Sequence, residues 1–317
     1  MQFIIREAEE TRKLELYDIG IVGSGPAGLS AGIYAGRAGL SAIIFDKDIA
    51  GGLVNENPLV ENYLGFKSIK GEELARALVE HAKEYSAIRE LEPVKSIKKE
   101  NENFVILTEK NEYRAKSVII ATGTTHKPLG VPGEKKFIGK GVSYCVTCDG
   151  YLFKDKRVAV IGGGNSGAIA AITLKDIAKD VTVIEFMPYY MCEKTYEEKL
   201  KSLSIPYIVN AETLEIFGEE KVNGVRFKDR ETGEEKTIKV DGVFIYIGLT
   251  PQNMLAKELG LELDRRGYIK ADHNQKTNME RVYAAGDITG GKAQIIVAAG
   301  QGAIAALSAY EDLRLKK

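Results

Sequence analysis

Apolar residues along this chain gather in short runs, and glycine-rich turns follow two of those runs directly. Leu16 to Val22 reads as a strand. It passes into Gly23-Ser24-Gly25-Pro26-Ala27-Gly28, and the small and apolar residues from about Pro26 to Ala38 read as a helix. A second strand, Ala42 to Phe45, ends at Asp46. Gly71 to Tyr85 has the spacing of an amphipathic helix, with Leu74, Leu78, His81 and Tyr85 on one stripe, so His81 is expected to face the core or an interface. Lys95 to Ala121 reads as short strands with turns at Asn101-Glu102-Asn103 and Lys110-Asn111-Glu112, and Ile119-Ile120 run into Ala121-Thr122-Gly123. Thr124 to Gly133, punctuated by Pro128, Gly130, Pro132 and Gly133, reads as a linker.

The opening pattern then recurs. Arg157 to Ile161 is a strand, followed by Gly162-Gly163-Gly164-Asn165-Ser166-Gly167, a helix, and a second strand, Val181 to Ile184, ending at Glu185. Gly23 and Gly162 are 139 positions apart, and so are Asp46 and Glu185. Two units with the same internal spacing support each other more than either supports itself. Ile205 to Val209 reads as a strand, hairpin signals stand at Asn223-Gly224 and Thr232-Gly233, and Val243 to Ile247 is a buried strand. Arg281 to Ala285, Gly286-Asp287 and a helix of small residues from about Ala293 to Tyr310 close the pattern. The whole reads as an α/β fold with two dinucleotide-binding units.

Composition narrows the function. The chain has 317 residues, with 44 Lys and Arg against 45 Asp and Glu. A net charge of −1 argues against a large basic surface for nucleic acid. The most apolar stretch, Ile295 to Leu307, is broken by Gly300, Gln301 and Gly302, so no membrane span is expected. Met1 to Leu16 is charged and lacks an apolar signal core, which makes a cytoplasmic protein the expectation. The cysteines are Cys145, Cys148 and Cys192, too few for a disulfide scaffold. In a reducing compartment a close pair serves catalysis or metal binding more often than structure.

Each motif carries a physical reason. In the first turn Gly23 makes the bend, Gly25 lets backbone approach a pyrophosphate, and Gly28 lets helix pack on strand. The helix start offers unpaired N–H groups and a positive dipole end to phosphate, and Asp46 is placed to accept ribose hydroxyls. Gly162, Gly164 and Gly167 with Glu185 form the second such site, so one flavin and one nicotinamide nucleotide are expected. Cys145-Val146-Thr147-Cys148 is a CxxC, whose thiols close into a small ring suited to reversible disulfide exchange. A structural metal needs two further ligands, and neither Cys192 nor His81, His126 or His273 has the spacing to supply them, so no metal is expected. Cys192 reads as an unpaired thiol, and the charges of Lys194 to Lys201 as a solvated helix face.

Taken together, these residues resemble the low-molecular-weight thioredoxin reductases from about Tyr17 to Tyr310. The most specific element is Tyr144-Cys145-Val146-Thr147-Cys148-Asp149-Gly150, lying between the linker and the second glycine turn. Gly51-Gly52, Glu61-Asn62, Ala121-Thr122-Gly123, Gly162-Gly163-Gly164-Asn165, Ala285-Gly286-Asp287 and Gln294 to Ala299 also match.

The resemblance implies two Rossmann-like dinucleotide-binding domains, the second inserted in the first. Residues 1–122 and 248–317 would hold FAD, and residues 123–247 would carry the nicotinamide site and the redox CxxC. It implies FAD contacts from Gly23, Ser24, Gly25, Pro26, Ala27, Gly28, Asp46, Lys47, Gly51, Gly52, Asn62, Val94, Thr122, Gly123, Gly286, Asp287, Gln294 and Ile295. Nicotinamide-nucleotide contacts would come from Gly162, Gly164, Asn165, Ser166, Gly167 and Glu185. Cys148 would be the thiol next to the flavin, forming its adduct and charge-transfer state. Cys145 would exchange with the partner disulfide, and Asp149 would manage the thiol protons. The family also implies a rotation of the inserted domain, a homodimer, and a thioredoxin-like or glutaredoxin-like protein partner.

Two departures bear on the electron donor. Family members that use NADPH carry a basic run after the second strand of the inserted domain, whereas here Ile184-Glu185-Phe186-Met187-Pro188-Tyr189-Tyr190 has no Arg or Lys. Gly167-Ala168-Ile169-Ala170 also stands where the family has an acidic residue, and Leu53 where it often has Gln. The donor is therefore open between NADH, NADPH and another carrier such as ferredoxin. A dithiol oxidase that delivers electrons to oxygen, and a nucleotide-binding redox sensor without turnover, are the competing readings.

Overall fold

The structure, a computed structural model, describes residues 15–314. The sequence readings of residues 1–14, including the charged start of the chain, and of residues 315–317 lie outside the described residues. The first sheet takes β1 (Leu16–Val22), β2 (Ala42–Phe45), β3 (Ala87–Arg89), β4 (Val94–Glu100), β5 (Asn103–Thr108) and β6 (Glu112–Ile120). Its order is β3-β2-β1-β6-β5-β4. The β1, β2 and β3 strands run parallel with β6, and β4 to β6 form an antiparallel meander on one side. The chain then leaves through β7 (Thr124–His126) and enters a second parallel sheet. Its strands are β8 (Val142–Ser143), β9 (Arg157–Ile161), β10 (Asp180–Ile184), β11 (Tyr207–Ile208) and, later in the chain, a fifth strand.

Three antiparallel strands intervene, β12 (Ala211–Gly218), β13 (Val222–Asp229) and β14 (Glu235–Lys239), before β15 (Gly242–Ile245) completes the order β11-β10-β9-β15-β8. The return strand β16 (Leu249–Pro251) pairs antiparallel with β7, and β17 (Val282–Ala284) joins the first sheet beside β6. The first sheet is thus built from both ends of the described chain and the second from its middle.

Helices cover the sheets. They are α1 (Pro26–Arg37), α2 (Gly71–Lys83), the single turns α3 (Glu134–Phe137) and α4 (Val146–Asp149), α5 (Asn165–Lys175), α6 (Lys194–Ser202), α7 (Met254–Glu258) and α8 (Ile295–Arg314). On one face of the first sheet, Ile19, Ile21, Ile44 and Ile119 pack with Leu29, Ala31, Ala305 and Ala306 of α1 and α8. The other face buries Val22, Ile43, Phe45, Phe104 and Ile106 with Leu255 of α7. The second sheet repeats this plan: Ala159, Ile161, Val243 and Ile245 pack toward the antiparallel strands, and Val158, Val160, Val183 and Phe244 toward α5 and α6. Near-continuous apolar strands are what a sheet covered on both faces requires.

The structure departs from the sequence reading at particular places. The expected linker begins as strand β7, so a two-stranded ribbon carries the chain between the sheets. Asn223-Gly224 is not a hairpin turn but lies inside β13, because Phe217 packs where a Gly224 side chain would stand; the chain turns instead at Glu219-Glu220-Lys221. His81 is exposed, since the buried line of α2 runs through Leu74, Ala75, Val79 and Ala82; its ring sits edge-on to Tyr85. No helix among the described residues is long and apolar enough to cross a membrane.

Candidate functional site

The two glycine turns are built alike. Gly23 and Gly162 have positive φ, +106° and +94°, a region that L side chains rarely enter. A Cβ on Gly28 would stand 1.8 Å from the Gly23 carbonyl oxygen, and one on Gly167 1.9 Å from that of Gly162. Both helices therefore start as close to their strands as backbone allows. Neither α1 nor α5 has a side-chain cap, and no atom lies within 4 Å of a Cβ built on Gly25 or Gly164. The space beside Gly25 and Gly164 at both helix starts is open, and an uncapped helix start with room before it is the arrangement that receives an anion.

Around the first turn, the Asp46 carboxylate accepts the Ser24 N–H at 2.7 Å and its hydroxyl at 2.6 Å. Gly51 N–H donates to the Ser24 carbonyl at 2.9 Å, and Gly52 lies over Gly25. The strand ends beside β1 add Thr122 and Gly123 after β6, and Gly286 and Asp287 after β17; Gly286 packs against Ala27. Asn62 donates to Gln294 at 3.1 Å, and Ile295 begins α8 beside Val54 and Val60. The Val94 side chain lies in the core with Phe45. The Asp287 carboxylate has no hydrogen-bond partner among the described residues, and burial holds its pKa above the usual carboxylate range. An unpaired acid beside Gly286, which packs against Ala27 at the α1 start, fits a ligand with hydroxyl donors, such as the ribityl chain of a flavin.

At the second turn, Glu185 is buried and accepts the Gly163 N–H at 2.6 Å and the Met187 N–H at 2.7 Å. Asn165 donates to Glu193 at 2.7 Å and accepts the Glu193 N–H at 2.8 Å. Ser166 and Gly167 follow in the first turn of α5. Arg230, from the end of the antiparallel strands, lies 3.8 Å over the Phe186 ring and donates to the Phe186 carbonyl at 3.0 Å.

Cys145 and Cys148 form a disulfide at the start of α4. Cys145 is buried and Cys148 exposed. The Asp149 carboxylate accepts the Ser143 hydroxyl at 2.7 Å, and the same hydroxyl accepts the Cys145 N–H at 3.0 Å. The disulfide turn sits against the first unit: Thr147 donates to the Glu56 carbonyl at 2.7 Å, and Glu56 ends the short helix that begins at Gly52. The Glu56 carboxylate meets His126 at 2.6 Å. The His126 ring stacks on Tyr144 and stands edge-on to Tyr246, whose hydroxyl accepts the Val146 N–H at 3.0 Å. Burial pushes Tyr246 up to about 12, so its hydroxyl is neutral at ordinary pH. Cys192 is a half-buried free thiol, its pKa raised by burial and the carboxylates around it.

Several of these residues escape sequence reasoning. Gln252 ties Lys47 to Thr122, accepting from Lys47 at 2.8 Å and exchanging bonds with Thr122 at 2.8 Å. Ser143 and Glu56 carry no motif. Only Ser143, two residues before Cys145, was near enough to a motif to be found.

Residues 17–302 match the pyridine nucleotide-disulphide oxidoreductase family. The fold is similar to a thioredoxin reductase of T. acidophilum, 58% identical with a TM-score of 0.92 over 94% of this chain and 99% of that one. Over 97% of its length the chain is 43% identical to a protein of Ferdinandcohnia aciditolerans named NADH dehydrogenase. Over 96% it is 42% identical to a component of the alkyl hydroperoxide reductase of Staphylococcus aureus. The chain spans only 59% and 61% of those two relatives. Its α/β architecture of two dinucleotide-binding units matches the thioredoxin reductase fold, and the chain belongs to the pyridine nucleotide-disulphide oxidoreductase family.

Proposed function

We propose that this chain is an FAD-dependent disulfide reductase that delivers electrons through Cys145 and Cys148 to a thioredoxin-like or glutaredoxin-like protein. The observation that carries the reading is the disulfide turn lying on the first glycine unit, joined to it by Thr147 and Glu56. Residues 1–122 and 248–317 would form the FAD domain and residues 123–247 the inserted one. Ser24 to Gly28 and the α1 start would receive the pyrophosphate, Asp46 the ribose, and Asp287 a ribityl hydroxyl. When bound, FAD supplies a two-electron store between the donor and the disulfide.

The protein's own residues do the exchange. Once the pair is reduced, the Cys145 thiolate attacks a sulfur of the partner disulfide, whose second sulfur leaves as a thiolate. Cys148 thiolate then attacks the Cys145 sulfur, releasing the partner dithiol and restoring the Cys145–Cys148 bond. Asp149, held by Ser143, gives and takes the thiol protons. Cys145 is buried in this arrangement, so its attack on a protein requires the disulfide turn to leave Glu56 and Thr147 to lose its bond. The β7–β16 ribbon is the element about which that motion turns.

NADH is the proposed donor. Phe186 to Tyr190 offers no cation to a 2′-phosphate, and Glu185 repels one while suiting a free 2′-hydroxyl. The family relative named NADH dehydrogenase supports the same choice. A second reading, a ferredoxin-type donor, is favoured by the Glu185–Glu193 segment folded across the second turn. Exposed Ile296, Val297, Ile304 and Leu307 on α8 support a homodimer. A catalytic thiol pair supports a cytoplasmic setting.

The test is steady-state reduction of a thioredoxin disulfide by the FAD-loaded protein with NADH or NADPH. Turnover with NADH, lost in Cys145→Ser, supports the reading. Flavin reduction without partner reduction, and with peroxide formed, would replace it with an oxidase.

A further inference from the structure

The stretch from Glu185 to Glu193 lies across the second glycine turn and is tied down along its length. Met187 N–H donates to Glu185, and the Met187 carbonyl accepts the Asn210 N–H at 2.8 Å. Arg230 holds the Phe186 carbonyl, and Glu193 N–H reaches Asn165 at the start of α5. Between these ends the middle is fixed by one side chain. Tyr207 accepts the Met191 N–H at 3.2 Å and donates to the Gly163 carbonyl at 2.9 Å. Burial holds its phenol above the ordinary tyrosine range, so it keeps the proton it donates. The hydroxyl end of its ring stands against the turn: a Cβ at Gly163 would meet the Tyr207 hydroxyl at 1.9 Å and the ring carbons at 2.3 and 2.7 Å. Tyr190 stacks on the Tyr207 ring at 4.0 Å, with Lys201 over Tyr190.

The first unit provides an internal reference. Ser24 is the counterpart of Gly163, and its carbonyl accepts a backbone N–H from Gly51 at 2.9 Å. At the spacing that relates the two turns, the counterpart of Gly51 is Tyr190. Where the first unit lays a glycine on the turn, the second sets a phenol against Gly163 and stacks a second ring upon it, while the space beside Gly164 stays open as it does beside Gly25. The acid, the turn and the helix start are otherwise arranged alike. Tyr207 is therefore the feature that distinguishes access to the second turn from access to the first.

We propose that Tyr207 determines whether a dinucleotide enters the second glycine turn, by pinning the Phe186–Glu193 segment across it through Met191 and Gly163. The proposal rests on the reading that this turn takes the nucleotide donor. A dinucleotide extending from the ribose acid Glu185 to the α5 start passes Gly163, against which the Tyr207 hydroxyl and ring edge stand, so binding waits on release of the segment. Apparent affinity then falls in proportion to the fraction of molecules with the segment released; a segment open in about a tenth of molecules weakens binding about tenfold. Because the pin is made of two hydrogen bonds and a ring contact, Tyr207→Phe removes the bonds alone, and Tyr207→Leu removes the ring as well.

The experiment is equilibrium binding of NADH to the FAD-loaded protein, measured by calorimetry for the native chain, Tyr207→Phe and Tyr207→Leu. FAD content and thermal midpoint verify that each variant is folded. The dissociation constant is expected to drop several-fold in Tyr207→Phe and to approach the full change of about tenfold in Tyr207→Leu. General loosening of the fold weakens a site, so a gain in affinity is not its signature. Measurable NADH binding that is equal or weaker in both variants overturns the role of Tyr207 and leaves the second turn as a nucleotide site. Absence of binding in all three proteins overturns both the gate and the nucleotide reading.

Discussion

Replacing one glycine in each turn should separate the two sites. A methyl on Gly28 would lie 1.8 Å from the Gly23 carbonyl oxygen, and a methyl on Gly167 1.9 Å from the Gly162 carbonyl. Neither oxygen belongs to a mobile side chain, so the helix start must retreat by roughly 1 Å or more. Forcing an extra carbon into close-packed backbone costs about 1–3 kcal/mol. On the proposed reading the helix start is also the group that would approach the pyrophosphate, so ligand binding would bear much of that cost. At about 1.4 kcal/mol per factor of ten, the affinity falls by roughly 5- to 150-fold.

Gly28→Ala is expected to lose FAD on dialysis, with the dissociation constant rising by that factor on reconstitution. Gly167→Ala is expected to keep its FAD and to be bleached by NADH more slowly by a similar factor. Absorbance of bound flavin and anaerobic stopped-flow read the two effects, and a thermal midpoint for each variant checks folding. Retention of FAD by Gly28→Ala with unchanged affinity, or loss of FAD from Gly167→Ala, would refute the assignment of the turns.

Cys145→Ser should leave a Cys148 thiolate beside oxidised flavin and give long-wavelength charge-transfer absorbance, which Cys148→Ser should lack; reversed spectra would swap the two roles. Asp287 has a raised folded-state pKa from burial, so FAD-free protein is stabilised by its neutral form at low pH and loses that stability as pH rises through the folded pKa. Thermal midpoints of FAD-free Asp287→Asn should therefore exceed those of the native chain increasingly as pH rises, and a constant gap would contradict this. Breaking the Glu56–His126 pair by Glu56→Gln should release the disulfide turn more often. In a Cys148→Ser background it should speed alkylation of the buried Cys145 by about threefold or more, the population change of roughly 0.7 kcal/mol that a partly exposed pair supplies; an unchanged rate would show that the pair does not hold the turn down.

Both glycine turns and the CxxC were legible because each needs particular residues at fixed short spacing. A backbone that must turn at Gly23 or Gly162 and pass within contact of Gly28 or Gly167 leaves a local signature. The linker was half legible: prolines and glycines marked Pro128 to Gly133, but pairing of Thr124–His126 with Leu249–Pro251 joins segments far apart in sequence. Asn223-Gly224 misled for a related reason. Its turn chemistry is real, but Phe217 packs on Gly224 from across the pair and keeps it in the strand. Tyr207 reaches Gly163 across 44 positions and Gln252 reaches Thr122 across 130, and neither residue type announces such a contact. The stripe that included His81 was a fair amphipathic pattern, read one position away from the line that α2 buries.

The most direct test of the central claim is an anaerobic dithionite titration of the FAD-loaded protein, which needs no assumption about the natural donor. If the Cys145–Cys148 disulfide exchanges electrons with the flavin, full reduction takes about four electrons per protein chain, two for each centre, and about two in Cys145→Ser or Cys148→Ser. Complete flavin bleaching of the native chain after about two electrons, with the disulfide still intact by thiol counting, would contradict the account.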